Sequence, residues 1–439
     1  MKSGFFVVCP VLLVLCTFTA TTCAQDWPQF RGPDGNGVLE NLEHPQAWDN
    51  ETNLAWSVDV PGGGWASPIV TGDRIFLTTA AGANKPFGFR EGVTDMRPKQ
   101  PEGPVKFQVI CLNLQDGSTV WKQTIVEQQP EFPIHGSNTY ATESPATDGE
   151  RVFVYFAPIG IVAALDMQGN ELWRRDVGAW PTGNNFGTGS SVTVGNGKVF
   201  IQSDNEKSSF VAAFDAVTGE QVWKQDRDST TSWATPLFWK NEARREIVSC
   251  GSGFVTSYDP DTGDELWKLT GIGMSFSASP AADPQRVYFG NSGPMSSGPL
   301  VAVGNAMAGE HEFEQDAMID NLEWSRMRAG PGMASPVAAG GYLYVPGRGI
   351  LTCYSTDDGE VAFKERLEIG SMAASLWAAG DRVFMMDETG KTMVLQVGPK
   401  MNVVGTNQIE DDLFWSTPAV SGSSLLIRGA NKLYCIRGE

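Results

Sequence analysis

Histidine is scarce in this chain. There are three in 439 residues, His44, His135 and His311, and they stand far apart. A histidine-ligated metal site or a histidine-based triad therefore has little to be built from. Basic residues are also short, 32 against 51 acidic ones, for a formal net charge of −19. Such a field repels nucleic acid and anionic membrane surfaces, so neither is expected as a partner. After residue 24 no apolar run approaches the ~20 residues that span a bilayer. Seven cysteines occur, but no two are adjacent.

The abundant residues are glycine (49) and tryptophan (14), in a chain whose hydrophobic content is 41%. That balance suits many short strands joined by tight turns. The N-terminus differs. Lys2, an apolar stretch from Phe5 to Phe18 and the small residues Thr19–Ala24 read as a secretory signal cut near Ala24. The stretch is too short for a membrane anchor. Lipid attachment at Cys23 would want Leu and a small residue such as Gly or Ala ahead of it, where Thr21 and Thr22 stand. The division is a signal over 1–24, an extended segment over 25–53 and one domain over 54–439. An exported chain, periplasmic or secreted, is expected.

One unit recurs, in two halves. The first reads small-Ser/Thr-Pro, a Gly-containing turn, then a β-branched or aromatic run. Copies start at Ala66, Glu143, Ser190, Ala234, Ala278, Ala334, Ala373 and Ser416. The second half reads apolar-small-apolar, a polar residue, a Gly turn, then Trp. It ends at Trp121, Trp173, Trp223 and Trp267, and more weakly at Trp324 and Phe363. Each half alternates around a turn and so forms a β-hairpin. Two hairpins make a four-stranded antiparallel blade, and eight blades make an all-β propeller. The last unit, Phe414–Ile436, lacks its Trp strand, whereas Leu54–Val58 carries Trp56 before the first full blade. The N-terminal strand is therefore expected to complete blade 8 and close the ring.

The clearest copy, Ala213-Phe214-Asp215-Ala216-Val217-Thr218-Gly219-Glu220-Gln221-Val222-Trp223, resembles the tryptophan-docking repeat of quinoprotein dehydrogenases and of BamB-like proteins. The opening Asp26-Trp27-Pro28-Gln29-Phe30-Arg31-Gly32-Pro33 is similar to the start of exported bacterial PQQ-like repeat proteins. The resemblance covers nearly all of the chain after the signal. It implies the fold closely and the function loosely, since such scaffolds host many roles. For a quinoprotein it implies a vicinal Cys-Cys disulfide and Glu, Asn and Asp on a calcium ion. This sequence lacks the cysteine pair, so neither PQQ nor calcium is expected as a cofactor.

The other cysteines have a repeat-level role. Cys111, Cys353 and Cys435 share the slot that holds Ala164, Ala213 and Ser257, where a small apolar residue fits, and free thiols are expected. The acidic run Asp259–Glu265 looks superficially like a calcium loop, but it fills a hairpin turn that Asp, Pro and Gly favour for themselves. Trp56, Trp121, Trp173, Trp223, Trp267, Trp324 and Phe363 recur once per blade and are expected to pack between sheets.

A second aromatic slot lies three residues before the first-strand Pro. Around the ring it reads Trp65, Thr142, Gly189, Trp233, Ser277, Met333, Met372 and Trp415. Met333, Met372, Trp415 and Trp65 become consecutive once the ring closes. First strands line the channel, so this arc, with Trp233 apart from it, is a candidate ledge for an extended peptide or small apolar ligand. The alternative is that these side chains plug the channel. Insertions at 81–106 and 308–321 mark where this chain is individual. The function expected is a non-enzymatic scaffold, acting as a monomer on a protein partner in the cell envelope. A quinone-dependent oxidoreductase and a sugar-binding propeller stand as alternatives.

Overall fold

The computed structural model describes Met1, Gly4 and residues 26–83, 97–293, 297–315 and 318–438. The rest of residues 1–25, where a signal was expected, with Cys9, Cys16 and Cys23, lies outside the described residues, as does 84–96 of the first insertion. Among the described residues no helix is long and apolar enough to cross a membrane.

Eight sheets stand around a ring, each antiparallel through its four repeat strands. Blades 1 to 7 span 69–128, 146–176, 193–227, 237–270, 281–326, 337–366 and 377–408. Blade 8 takes three strands from 419–436 and its outer strand from Leu54–Asp59. Trp56 faces Cys435 across that junction and Asp59 faces Lys432, so the two chain ends clasp as expected. The innermost strands are short and touch neighbours around the channel, Ile69–Thr71 meeting Ala146–Thr147 and Ala419–Ser421.

The docking residues explain how sheets join. Each stands opposite a small residue of the adjoining strand: Trp121 on Cys111, Trp173 on Ala164, Trp223 on Ala213, Trp324 on Ala302. Its indole N–H then donates to a turn carbonyl of the next blade. Trp121 reaches Met167 at 3.0 Å, Trp173 reaches Ala216 at 3.1 Å, and Trp223 reaches Pro260 at 3.1 Å. Trp56 reaches Leu114 at 3.2 Å and Trp324 reaches Thr356 at 2.9 Å. The repeat glycine in that turn, such as Gly263 at φ +78°, lies flat under the ring, where a Cβ would come within 3 Å of the indole. Position and conformation both demand Gly.

Three joints depart from the rule, one of them between blades 7 and 8, where the docking position is Gly405 opposite Val394. Blade 5 has an insertion where its turn should be, so Trp267 donates instead to the buried Glu246 carboxylate at 2.7 Å. The inserted strand Gly309–Glu312 runs parallel along Trp267–Thr270 and covers that edge of blade 4. Phe363 has no N–H to give. There Tyr344 takes over, its hydroxyl accepting the Gly398 N–H of blade 7 at 2.8 Å.

The Ser/Thr of the first half-repeat has a defined task. The hydroxyl of Ser144 accepts the N–H of Ser67 at 2.8 Å, and Ser191 accepts that of Ser144 at 2.9 Å. The chain of bonds continues through Thr235, Ser279, Ser335, Ser375 and Thr417, each taking the amide of the preceding blade. One side chain in each of blades 2 to 8 thus satisfies a backbone donor that the preceding sheet leaves over. The four described cysteines are free and buried, and burial pushes the Cys111 and Cys435 thiols up to about 11.

The extended segment does more than lead into the ring. Trp27 pairs with Val70 of blade 1, and Pro28 O accepts from Thr147 of blade 2. Gln29 Oε1 accepts from Val194 of blade 3 at 3.0 Å. The fully buried Arg31 guanidinium donates to Pro280 O at 2.6 Å and to Pro336 O, carbonyls of blades 5 and 6. Val38–Leu39 then pairs in parallel with the inner strand of blade 7. Residues 26–39 therefore seal the channel mouth formed by the inner hairpin turns.

Candidate binding face

The connections that run from one blade's outer strand to the next blade's inner strand surround the opposite mouth. The aromatic slot lies there. Trp65 is buried and stacks on Trp415 with centroids 5.5 Å apart and planes 21° off parallel. Its indole N–H donates to Ser137 O at 2.8 Å, and that of half-buried Trp415 to a Glu388 carboxylate oxygen at 3.2 Å. These two are brought together across the closure of the ring. Trp233 lies elsewhere, edge-on to Phe186 at 6.2 Å and bonded to Gly187 O.

One register needs correction. Ser375 accepts the Ser335 N–H and Trp377 faces Phe384, as Ile69 faces Phe76 in blade 1. Counting back from these, the slot of blade 7 is Ala373, and Met372 is one residue ahead of it. Blade 7 has Leu376 where six blades have Pro and blade 3 has Val192, so the proline gave no fixed point for the count there. Met372 is half-buried against the core between blades 6 and 7, while Met333 is 43% exposed.

Other apolar side chains share this mouth. Met274 is 76% exposed, Met327 46% and Phe186 42%, all on connections of the same type. Methionine is unbranched and polarizable, and it adapts to varied apolar partners. The described part of the first insertion lies on this face too, with Lys99 bridging Ile134 and Gln100 donating to Pro130 O at 2.6 Å. The second insertion lies away from it, along blade 4.

Asp204 and His135 near this mouth are committed to structure. Asp204 and Arg227 form a buried ion pair at 3.2 Å, and burial pushes the Asp204 carboxyl up to about 6 against the pull of Arg227. His135 accepts from or donates to Ser137 at 2.7 Å, and burial lowers its proton affinity. His44 packs on Phe384, and His311 lies on the inserted strand. Among the described residues no three His, Cys, Asp or Glu side chains gather as a metal site would. The Asp259 turn closes on itself, its carboxylate accepting the Asp261 and Thr262 amides.

An eight-bladed ring with tryptophan docking and one sealed mouth defines the class: a propeller of PQQ-like repeats. The sequence pattern described as outer membrane protein assembly factor BamB matches residues 105–270, 158–310 and 251–398, well over half of the chain. The chain belongs to that family. Comparison with curated proteins found no match. Among solved structures, BamB from Moraxella catarrhalis is similar at TM-score 0.58 and 11% identity, covering 88% of this chain and 99% of that one. Quinohemoprotein alcohol dehydrogenase from Comamonas testosteroni is similar at 0.59 and 12%, covering 94% and 81%. Sqt1 from Saccharomyces cerevisiae is similar at 0.56 and 11%, covering 91% and 100%. At these identities the likeness speaks for the fold alone.

Proposed function

We propose that this protein is an exported, non-enzymatic binding propeller of the cell envelope that receives an extended, apolar stretch of a protein partner at its unsealed mouth. The observation that carries the reading is asymmetry between the two mouths. One is closed by residues 26–39, and the other bears the Trp65–Trp415 stack with Met274, Met327 and Met333 exposed around it. Membership of a family described as an assembly factor supports a protein partner. The quinone alternative is disfavoured because the cysteines are solitary on different blades and the buried Asp204 is spent on Arg227. The residues present do not supply the frame that a quinone and its calcium ion need.

The test is capture from the native envelope by the wild type and by Met274→Glu/Met333→Glu, a pair whose exposure makes loss of folding a minor concern. The variant should lose the partner while a Val222→Glu control on an outer strand keeps it. Identical capture by all three proteins would remove the basis for the reading. Dye-linked alcohol oxidation after reconstitution with the quinone and calcium would do the same.

A further inference from the structure

The Ser/Thr column between neighbouring blades, Ser67 with the seven hydroxyls that accept an amide, is preceded in every blade by one buried residue. In five blades that residue is alanine, and in two it is serine, Ser190 and Ser416. In blade 2 it is Glu143. A side chain of this size and charge at an alanine-type position is costly to bury without partners. Glu143 is 1% exposed, yet neither carboxylate oxygen accepts a hydrogen bond.

The chain's other treatment of a buried glutamate makes the contrast plain. Glu246 receives Trp267, Ser257, Arg244 and Asn241. The hydroxyls of Tyr155 and Thr188, and that of Ser190 beside the Ser191 that accepts the Ser144 amide, are buried with no well-formed hydrogen bond, Thr188 approaching Glu143 and Tyr155 approaching Ser203. Thr188 stands near enough to favour the charged carboxylate, and Glu143 in turn acts on Tyr155. Among the described residues the influences on Glu143 are burial first, then Thr188 and the backbone of Glu143 and Thr142, none of them a charged side chain.

We propose that the wall between blades 2 and 3 is a binding site for one monovalent hard cation, Na⁺ or K⁺, held by Glu143 with Thr188, Ser190 and Tyr155 as neutral oxygen donors. All-oxygen ligands select hard cations over transition metals. A single carboxylate neutralises one positive charge, so a divalent ion would leave an uncompensated charge in a buried wall. The site is independent of the mouth ledge and of the partner proposed for it.

The experiment is thermal unfolding of the full chain at pH 8 in NaCl, KCl or choline chloride at equal ionic strength. The expected result is a melting temperature higher by roughly 2 °C or more in the alkali-metal salt. The gain should vanish in Glu143→Gln and shrink at pH 5, where protons compete. Thr188→Val, which keeps the carboxylate, should weaken the salt dependence without removing it. Crystals soaked in RbCl should show anomalous scattering beside Glu143. Equal melting in all three salts, or a gain that persists in Glu143→Gln, overturns the proposal. So does an empty wall in the rubidium crystal.

Discussion

The contact of Trp223 with Gly263 allows the joint between blades to be measured as a coupling. Trp223→Ala removes a ring 7% exposed and leaves the Pro260 carbonyl without its donor. Truncation of a buried aromatic costs about 3–5 kcal/mol, and the stranded carbonyl about 1 more. Gly263→Ala puts a Cβ 2.7 Å from the Trp223 Cδ2 atom at a φ of +78°. The left-handed backbone costs about 1–2 kcal/mol, and the overpacking about 1–3. In the Trp223→Ala background the overpacking is gone and only the backbone cost remains. The double variant should therefore be more stable than the sum of the two singles by about 1–3 kcal/mol. Urea unfolding followed by both fluorescence and circular dichroism reads this, provided the two transitions coincide. Strict additivity would mean that the indole does not rest on that turn, and the account of docking would fail with it.

Three further outcomes follow from the same geometry. Thr235→Val strands the Ser191 amide that its hydroxyl accepts at 2.9 Å, and should cost about 1–3 kcal/mol, whereas Thr235→Ser should be near neutral by the same urea assay. Arg31→Ala frees the Pro280 and Pro336 carbonyls beneath the seal and should lower stability by about 2–4 kcal/mol, with faster proteolysis of residues 26–39. Glu143 has its carboxyl pushed by burial from 4.5 up to about 7, so the folded state binds the proton more tightly than the unfolded one. In choline buffer that stabilisation is complete below pH ~4.5 and is lost by pH ~7, about 3 kcal/mol in all, and a flat difference between wild type and Glu143→Gln over that window would contradict it.

The ring could be read from the sequence because its determinants repeat. Trp223 and Gly219 recur at a fixed spacing, and the unpaired Leu54–Val58 strand matched the missing strand of blade 8. The seal could not. Arg31 and Gln29 meet backbone groups of Pro280, Pro336 and Val194, and a carbonyl or amide looks the same after any residue. The slot of blade 7 slipped by one because Leu376 replaces the proline that sets the count in six of the blades. Met274 and Met327 were missed because they lie off the aligned column, in connections whose lengths differ. Glu143 was visible as a misfit in a column of Ala and Ser, but a pattern that asks for a small residue there hides the exception.

The meeting of both chain ends in blade 8 sets an order on assembly. During synthesis Leu54–Asp59 emerges long before Lys432–Ile436, so for most of that interval the chain holds a strand whose mate does not yet exist. Until Lys432–Ile436 appears, seven joints can form but the circle stays open. Loss of Lys432–Ile436 is consequently more damaging than its length suggests, because a handful of residues unlatches Leu54–Asp59 as well as blade 8.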